Sequence, residues 1–186
     1  MGAPFPRQAR AELIRQIPAH DYYRAFTLSA FNPPLDQTRF QVLSVTLGIE
    51  EATAGTGATQ PISVRIYSST TNPPTNGSLT LLSTKNLDVP DQTLTLLTVP
   101  LSRRPVFTVA TGILVVEVFS PSGQAAGHTF FIGSNDRGQS GPSFIRAADC
   151  GLSEITNLGA VLFPDMHLVM TVNGNTDLIF ADGFGG

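Results

Sequence analysis

The 186-residue chain has no tryptophan, one cysteine, one lysine and few charges of either sign. Each scarcity removes a class of explanation. With Cys150 alone, neither an intrachain disulfide nor a cysteine-ligated zinc site can form. Such a cysteine is expected to be buried as a small hydrophobe. Eleven Lys and Arg stand against fourteen Asp and Glu, giving a net charge of −3. The only adjacent basic pair is Arg103-Arg104, so the clustered cations that a phosphate backbone requires are missing and no nucleic-acid partner is expected. No apolar run is long enough to cross a bilayer, so no membrane span is expected. The start, MGAPFPRQARAELIRQI, lacks the apolar core and small-residue cleavage site of a signal peptide. The expectation is that an export signal has been removed and that Met1 and Gly2 are not native.

Charged residues make up 13% and hydrophobic residues 41%, a balance that argues against disorder and for one domain with a sizeable core. Only residues 7–17 (RQARAELIRQI) have helical spacing, with Pro18 ending the run. From His20 onward the texture is extended. In residues 40–50 the alternation places Leu43, Val45, Leu47 and Ile49 on one face. Ile62, Val64 and Ile66 alternate with Ser63, Arg65 and Tyr67 in the same way. Residues 113–120 (ILVVEVFS) are apolar on both faces and read as a central strand. Fourteen prolines and seventeen glycines punctuate eight to ten such strands with no helix between them. The spacing predicts an all-β, antiparallel β-sandwich of jelly-roll or Greek-key type with a short N-terminal helix. Its expected parts are an N-terminal arm (1–19), the sandwich (20–174) and an extended tail (175–186).

The segments HDYYRAFTL, TQPISVRIYS, LVVEVFSPSGQAAGHTFFIGSNDRGQSGPSFIRAADCG and FPDMHLVMTVNG resemble a β-sandwich domain of secreted proteins of Gram-negative bacteria. The tail DLIFADGFGG is similar to a C-terminal D-x-I-F-x-D-G-F-E signature of such exported proteins, with Gly185 in the place of the glutamate. The resemblance implies export and a sandwich fold. It carries over no catalytic residue.

The residues offer no strong catalytic signature either. Gly138-Gln139-Ser140-Gly141-Pro142 fails the nucleophile-elbow pattern because Pro142 stands where a glycine belongs. His20, His128 and His167 have no ligand spacing. His167 is expected on the polar side of its strand. Glu117, in the most apolar strand, should pair with Arg65 or Arg24 or else face solvent, because an unpaired buried carboxylate is costly. Calcium, which prefers oxygen ligands, would draw on Glu50, Glu51, Asp136, Asp149 and Glu154. A sugar platform would draw on Tyr22, Tyr23 and Tyr67 if they are exposed.

For recognition, the loop 134–140 offers Asn135, Asp136, Arg137 and Gln139 on turn-forming backbone; a neutral turn network explains the same residues. Leu178, Ile179 and Phe180 form an extended apolar segment able to add to a sheet edge. The expectation is a non-enzymatic, secreted or cell-surface binding module with a saccharide or surface partner and, as cofactor, at most a structural calcium. The alternative is a structural subunit assembling as a homo-oligomer through its terminal arms.

Overall fold

The computed structural model describes residues 19–31, 38–123, 127–137, 141–161 and 163–176. The expected N-terminal helix and the segment Leu178, Ile179 and Phe180 lie outside them. Among the described residues the chain is all-β and antiparallel, broken only by single 3-10 turns.

One sheet has six strands: β1 (His20–Thr27), β3 (Gln60–Ser69), β4 (Leu79–Val89), β7 (Ile113–Ser120), β10 (Ser143–Ala147) and β11 (Leu152–Asn157). Their order is β11-β10-β1-β7-β3-β4. The second is built on β2 (Arg39–Thr53), flanked by β5 (Gln92–Pro100), β6 (Val106–Thr108), β8 (Thr129–Ile132) and β13 (Met170–Asn175). β13 and then β8 follow one edge of β2, while β6 and then β5 follow the other. A short pair, β9 (Ser134–Asn135) with β12 (His167–Leu168), extends from it.

The two sheets share one core. Tyr22, Ile62, Val64, Ile66, Leu114, Val116 and Val118 come from the first, and Val42, Val45, Leu47, Ile49, Phe130, Ile132 and Met170 from the second. Period-two alternation therefore places Ile62, Val64 and Ile66 inward as expected.

In β2 the alternation slips twice. The register to β13 jumps from Ser44–Asn173 to Val42–Gly174, so Leu43 is an extra residue. Its carbonyl accepts a hydrogen bond from Leu101 N at 2.9 Å. The slip turns Val42 into the core and leaves Leu43 half-buried, contrary to the simple alternation. A second shift lies between Ile49 and Glu51, opposite β8, and makes Glu50 the exposed extra residue.

Where β13 gives way to β8, three strands meet at a closed hydrogen-bond triangle. Gly48 N donates to Val169 O, Val169 N to Gly133 O, and Gly133 N to Gly48 O, at 2.8, 2.9 and 2.8 Å. A Cβ on Gly48 would lie 2.9 Å from Val169 Cβ, so the junction has room only for glycine there. This branch splits the run MHLVMTVNG into β12 and β13. Together with β9 and β11, it raises the number of strand segments above the expected eight to ten.

Candidate functional site

Strand alternation and register assemble a site on the face of the six-stranded sheet that is turned away from the shared core. One row crosses the sheet as Arg146, Asp21, Phe119, Ser63 and Asn86, on β10, β1, β7, β3 and β4. The next row reads Phe144, Tyr23, Glu117, Arg65 and Thr84. The third includes Ala25, Val115, Tyr67 and Leu81. Tyr23, Ala25, Val115 and Phe144 form a separate buried apolar cluster, against which Tyr67 packs.

Within that cluster lie two carboxyl groups. Glu117 is 1% exposed. One oxygen accepts from Arg65 Nη1, and the other accepts from Tyr67 Oη at 2.5 Å. The expected ion pair is thus made by Arg65. Arg24 instead donates to the carbonyls of Leu168 and Gly141. Asp21 Oδ2 accepts from Arg146 Nε at 2.9 Å, whereas its buried Oδ1 receives no N–H or O–H donor from the described residues. Asp21 and Glu117 are diagonal neighbours on β1 and β7, on the same outer face, and a hydrogen bond between their carboxyls needs a proton on one of them.

Burial pushes Glu117 up to about 7, and the hydrogen bond and charge of Asp21 add to the rise, against the opposing pull of Tyr67 and Arg65. Burial also raises the Tyr67 phenol, with the hydrogen bond and charge of Glu117 behind it.

Beside this cluster lies a shallow groove of about 310 Å³ lined by Pro61, Ser63, Asn86, Asp88, Phe119 and Pro121. Ser63 Oγ donates to Asn86 Oδ1 at 2.9 Å, which fixes the amide with its N–H group turned away from that bond. The Arg65 guanidinium sits 4.8 Å from the centroid of the Phe119 ring and so joins the groove to the acid pair. The groove presents an aromatic ring among a hydroxyl, an amide and a carboxylate.

The residues singled out in the sequence are placed elsewhere. Asn135 Oδ1 accepts from Arg137 N at 3.0 Å, and the Arg137 carbonyl accepts from His167 Nδ1. Asp136 is exposed in the same turn. Asn135 and Arg137 thus form a turn network closed onto half-buried His167; Gln139 lies outside the described residues. Glu51 accepts from Thr53 Oγ1 at 3.2 Å, and Asp149 and Glu154 are exposed. Among the described residues no three His, Cys, Asp or Glu side chains converge as a metal site.

Tyr22 and Tyr23 are both 1% exposed, which removes them as a sugar platform. Their strand runs between β7 and β10, with covered side chains on both faces. Cys150 is exposed rather than buried, because a 3-10 turn at the β10–β11 tip carries it off both cores. Phe119, Asn86 and Asp88 carried no sequence signal of their own. Their shared row depends on which strands are neighbours.

Fold and site together define an all-β antiparallel domain with a polar groove on its wider sheet, lined in part by an aromatic ring. No family model matches the chain, and no curated protein matches it. Among solved structures, it is similar to the cysteine protease and lectin-like domains of Cwp84, a surface layer associated protein of Clostridium difficile. That likeness has a TM-score of 0.53 at 13% identity, covering 83% of this chain and 31% of the other. A second structure of the clostridial Cwp84 cysteine protease, after propeptide cleavage, gives a TM-score of 0.54 at 13% identity over 83% of this chain and 35% of that one. The chain spans about a third of these neighbours. At this identity the likeness is one of fold.

Proposed function

We propose that the chain is a non-enzymatic binding module of an exported or cell-surface protein, a jelly-roll sandwich that takes a saccharide in the groove of its six-stranded sheet. The observation that carries this reading is the Phe119 ring flanked by Ser63, Asn86 and Asp88. An aromatic face accepts the C–H face of a sugar ring, while short polar groups around it read the hydroxyls. The likeness to a solved chain that includes a lectin-like domain supports the reading.

The test is a glycan array followed by calorimetry. Wild type should bind at least one saccharide class, and Phe119→Ala should weaken it by about tenfold or more, the worth of one buried anchor. Unchanged affinity in Phe119→Ala would remove the groove from the function.

A second reading, a subunit that assembles with copies of itself, is favoured by one feature. Edge strand β5 carries no charge, and its Leu94 and Leu96 are 86% and 70% exposed. Light scattering on the same samples separates the two. A monomer at all concentrations sinks assembly, and polymers lost in Leu96→Lys would establish it.

A further inference from the structure

We propose that Asp21 and Glu117 hold one proton between them, and that this proton decides whether Arg65 is committed to Glu117 or offered to a carboxylate on a saccharide seated in the groove. The inference rests on the groove reading for its ligand, but the acid pair stands on its own geometry.

The groups that face Glu117 are Asp21 and Tyr23 from β1, Arg65 and Tyr67 from β3, and Arg146 across β1 on β10. Two carboxyls meet two guanidiniums. With both acids ionised the set is neutral, yet two like charges adjoin in a buried place and Asp21 Oδ1 has no donor among the described residues. With a proton on Glu117, that oxygen gains one, and the Arg146–Asp21 ion pair is left in place. Burial and Asp21 together raise Glu117 to about 7, against Tyr67 and Arg65.

Protonation then leaves one positive charge in excess, and Arg65 is where it surfaces. Its side chain is 26% exposed against 1% for Glu117, and its guanidinium lies over the Phe119 ring that lines the groove. Asp88 is paired across to Pro61, one row beyond Ser63 and Phe119 and away from Arg65. An acidic saccharide would therefore set its carboxylate toward Arg65 and away from Asp88. A ligand carboxylate competes with ionised Glu117 for the guanidinium, so acidification strengthens binding. By linkage, the bound ligand in turn makes Glu117 hold its proton more tightly.

The test uses the full chain with trigalacturonate and its methyl ester, in which each carboxylate is replaced by a neutral ester. Affinities are measured at about pH 5.5 and about pH 8, on either side of the neutral range. Trigalacturonate should bind about tenfold tighter at the lower pH, while the ester shows no such change. Glu117→Gln, neutral at both, should bind the acid tightly at both. Equal affinity of wild type at the two pH values, or pH dependence retained in Glu117→Gln, overturns the proposal.

Carbon-13 carboxyl NMR separates this result from failure of the groove reading. Glu117 should titrate in the neutral range in wild type, and lower in Asp21→Asn. Titration of Glu117 in the ordinary carboxylate range overturns the shared proton, whatever binds. If Glu117 titrates as expected but neither saccharide binds, the ligand half of this proposal falls, and the glycan array with Phe119→Ala decides whether the groove reading falls with it.

Discussion

On the outer face of the six-stranded sheet, Ser63, Arg65 and Tyr67 alternate with core residues; on the outer face of the β2 sheet, Ser44 and Thr46 do the same, beside Thr98 of β5 and Asn173 of β13. The first face becomes a buried charged cluster. The second becomes a half-exposed ladder in which Thr46 Oγ1 meets Thr98 Oγ1 at 2.9 Å and Asn173 reaches Ser44 and Thr46. Width and side-chain size separate them. Glu117 has two strands on one side and three on the other, and Tyr23, Phe144, Arg65 and Tyr67 close over it. Thr46 has one strand on each side, with short neighbours, so water keeps most of its contacts. Polar residues at the same sequence period thus face different dielectrics, and only the first face can hold a strongly shifted carboxyl.

The sharpest way to break this contrast is to delete a charge on the buried face. Arg65→Ala removes the guanidinium from a carboxylate that is 1% exposed. A buried pair broken on one side costs about 3–5 kcal/mol, and that loss is expected at alkaline pH. At acid pH Glu117 takes up a proton instead, so the loss shrinks. Urea unfolding at both pH values measures it, and an equal loss at both would mean that packing of the Arg65 stem on Phe119 is the cause.

A smaller effect needs no lost side chain. Glu117 in the folded chain lies near 7 against an ordinary 4.5, so the folded state binds its proton more tightly than the unfolded state. That contribution is complete below the ordinary value and is lost as the pH rises through about 7. Its size follows from the shift and is about 3 kcal/mol. Other carboxylates titrate in the acid range, so the quantity to follow is the difference between wild type and Glu117→Gln from acid to alkaline pH. A difference that stays flat would place Glu117 among ordinary exposed acids.

Much of this was legible in the chain. Ile62, Val64 and Ile66 face inward as their alternation requires, and the run around Glu117 is central, as its apolar flanks imply. An ion-pair partner for Glu117 could be narrowed to two arginines because burying the charge alone is too costly. Alternation alone puts Leu43 on the face of Val45, wrongly, because a bulge is a property of two strands and leaves no mark in one. The tyrosines misled for a related reason. Tyr22 and Tyr23 must point to opposite faces, but only the neighbours β7 and β10 decide that both faces are covered. The groove was hidden most deeply. Asn86, Ser63 and Phe119 are separated in sequence, and cross-strand register alone brings them into one row.

The mildest perturbation belongs to the exposed ladder and fixes the other end of the contrast. Thr98→Ala removes a hydroxyl that shares one hydrogen bond with Thr46 and faces water. Water replaces the lost partner, so the cost is that of a cross-strand pair, about 0.5 kcal/mol. It should not vary with pH, because no titratable group takes part in that bond. Thermal unfolding at acid and alkaline pH tests both statements. A loss above about 2 kcal/mol would mean that the ladder is energetically buried despite its exposure, and sheet width would no longer explain why only one face holds a shifted acid.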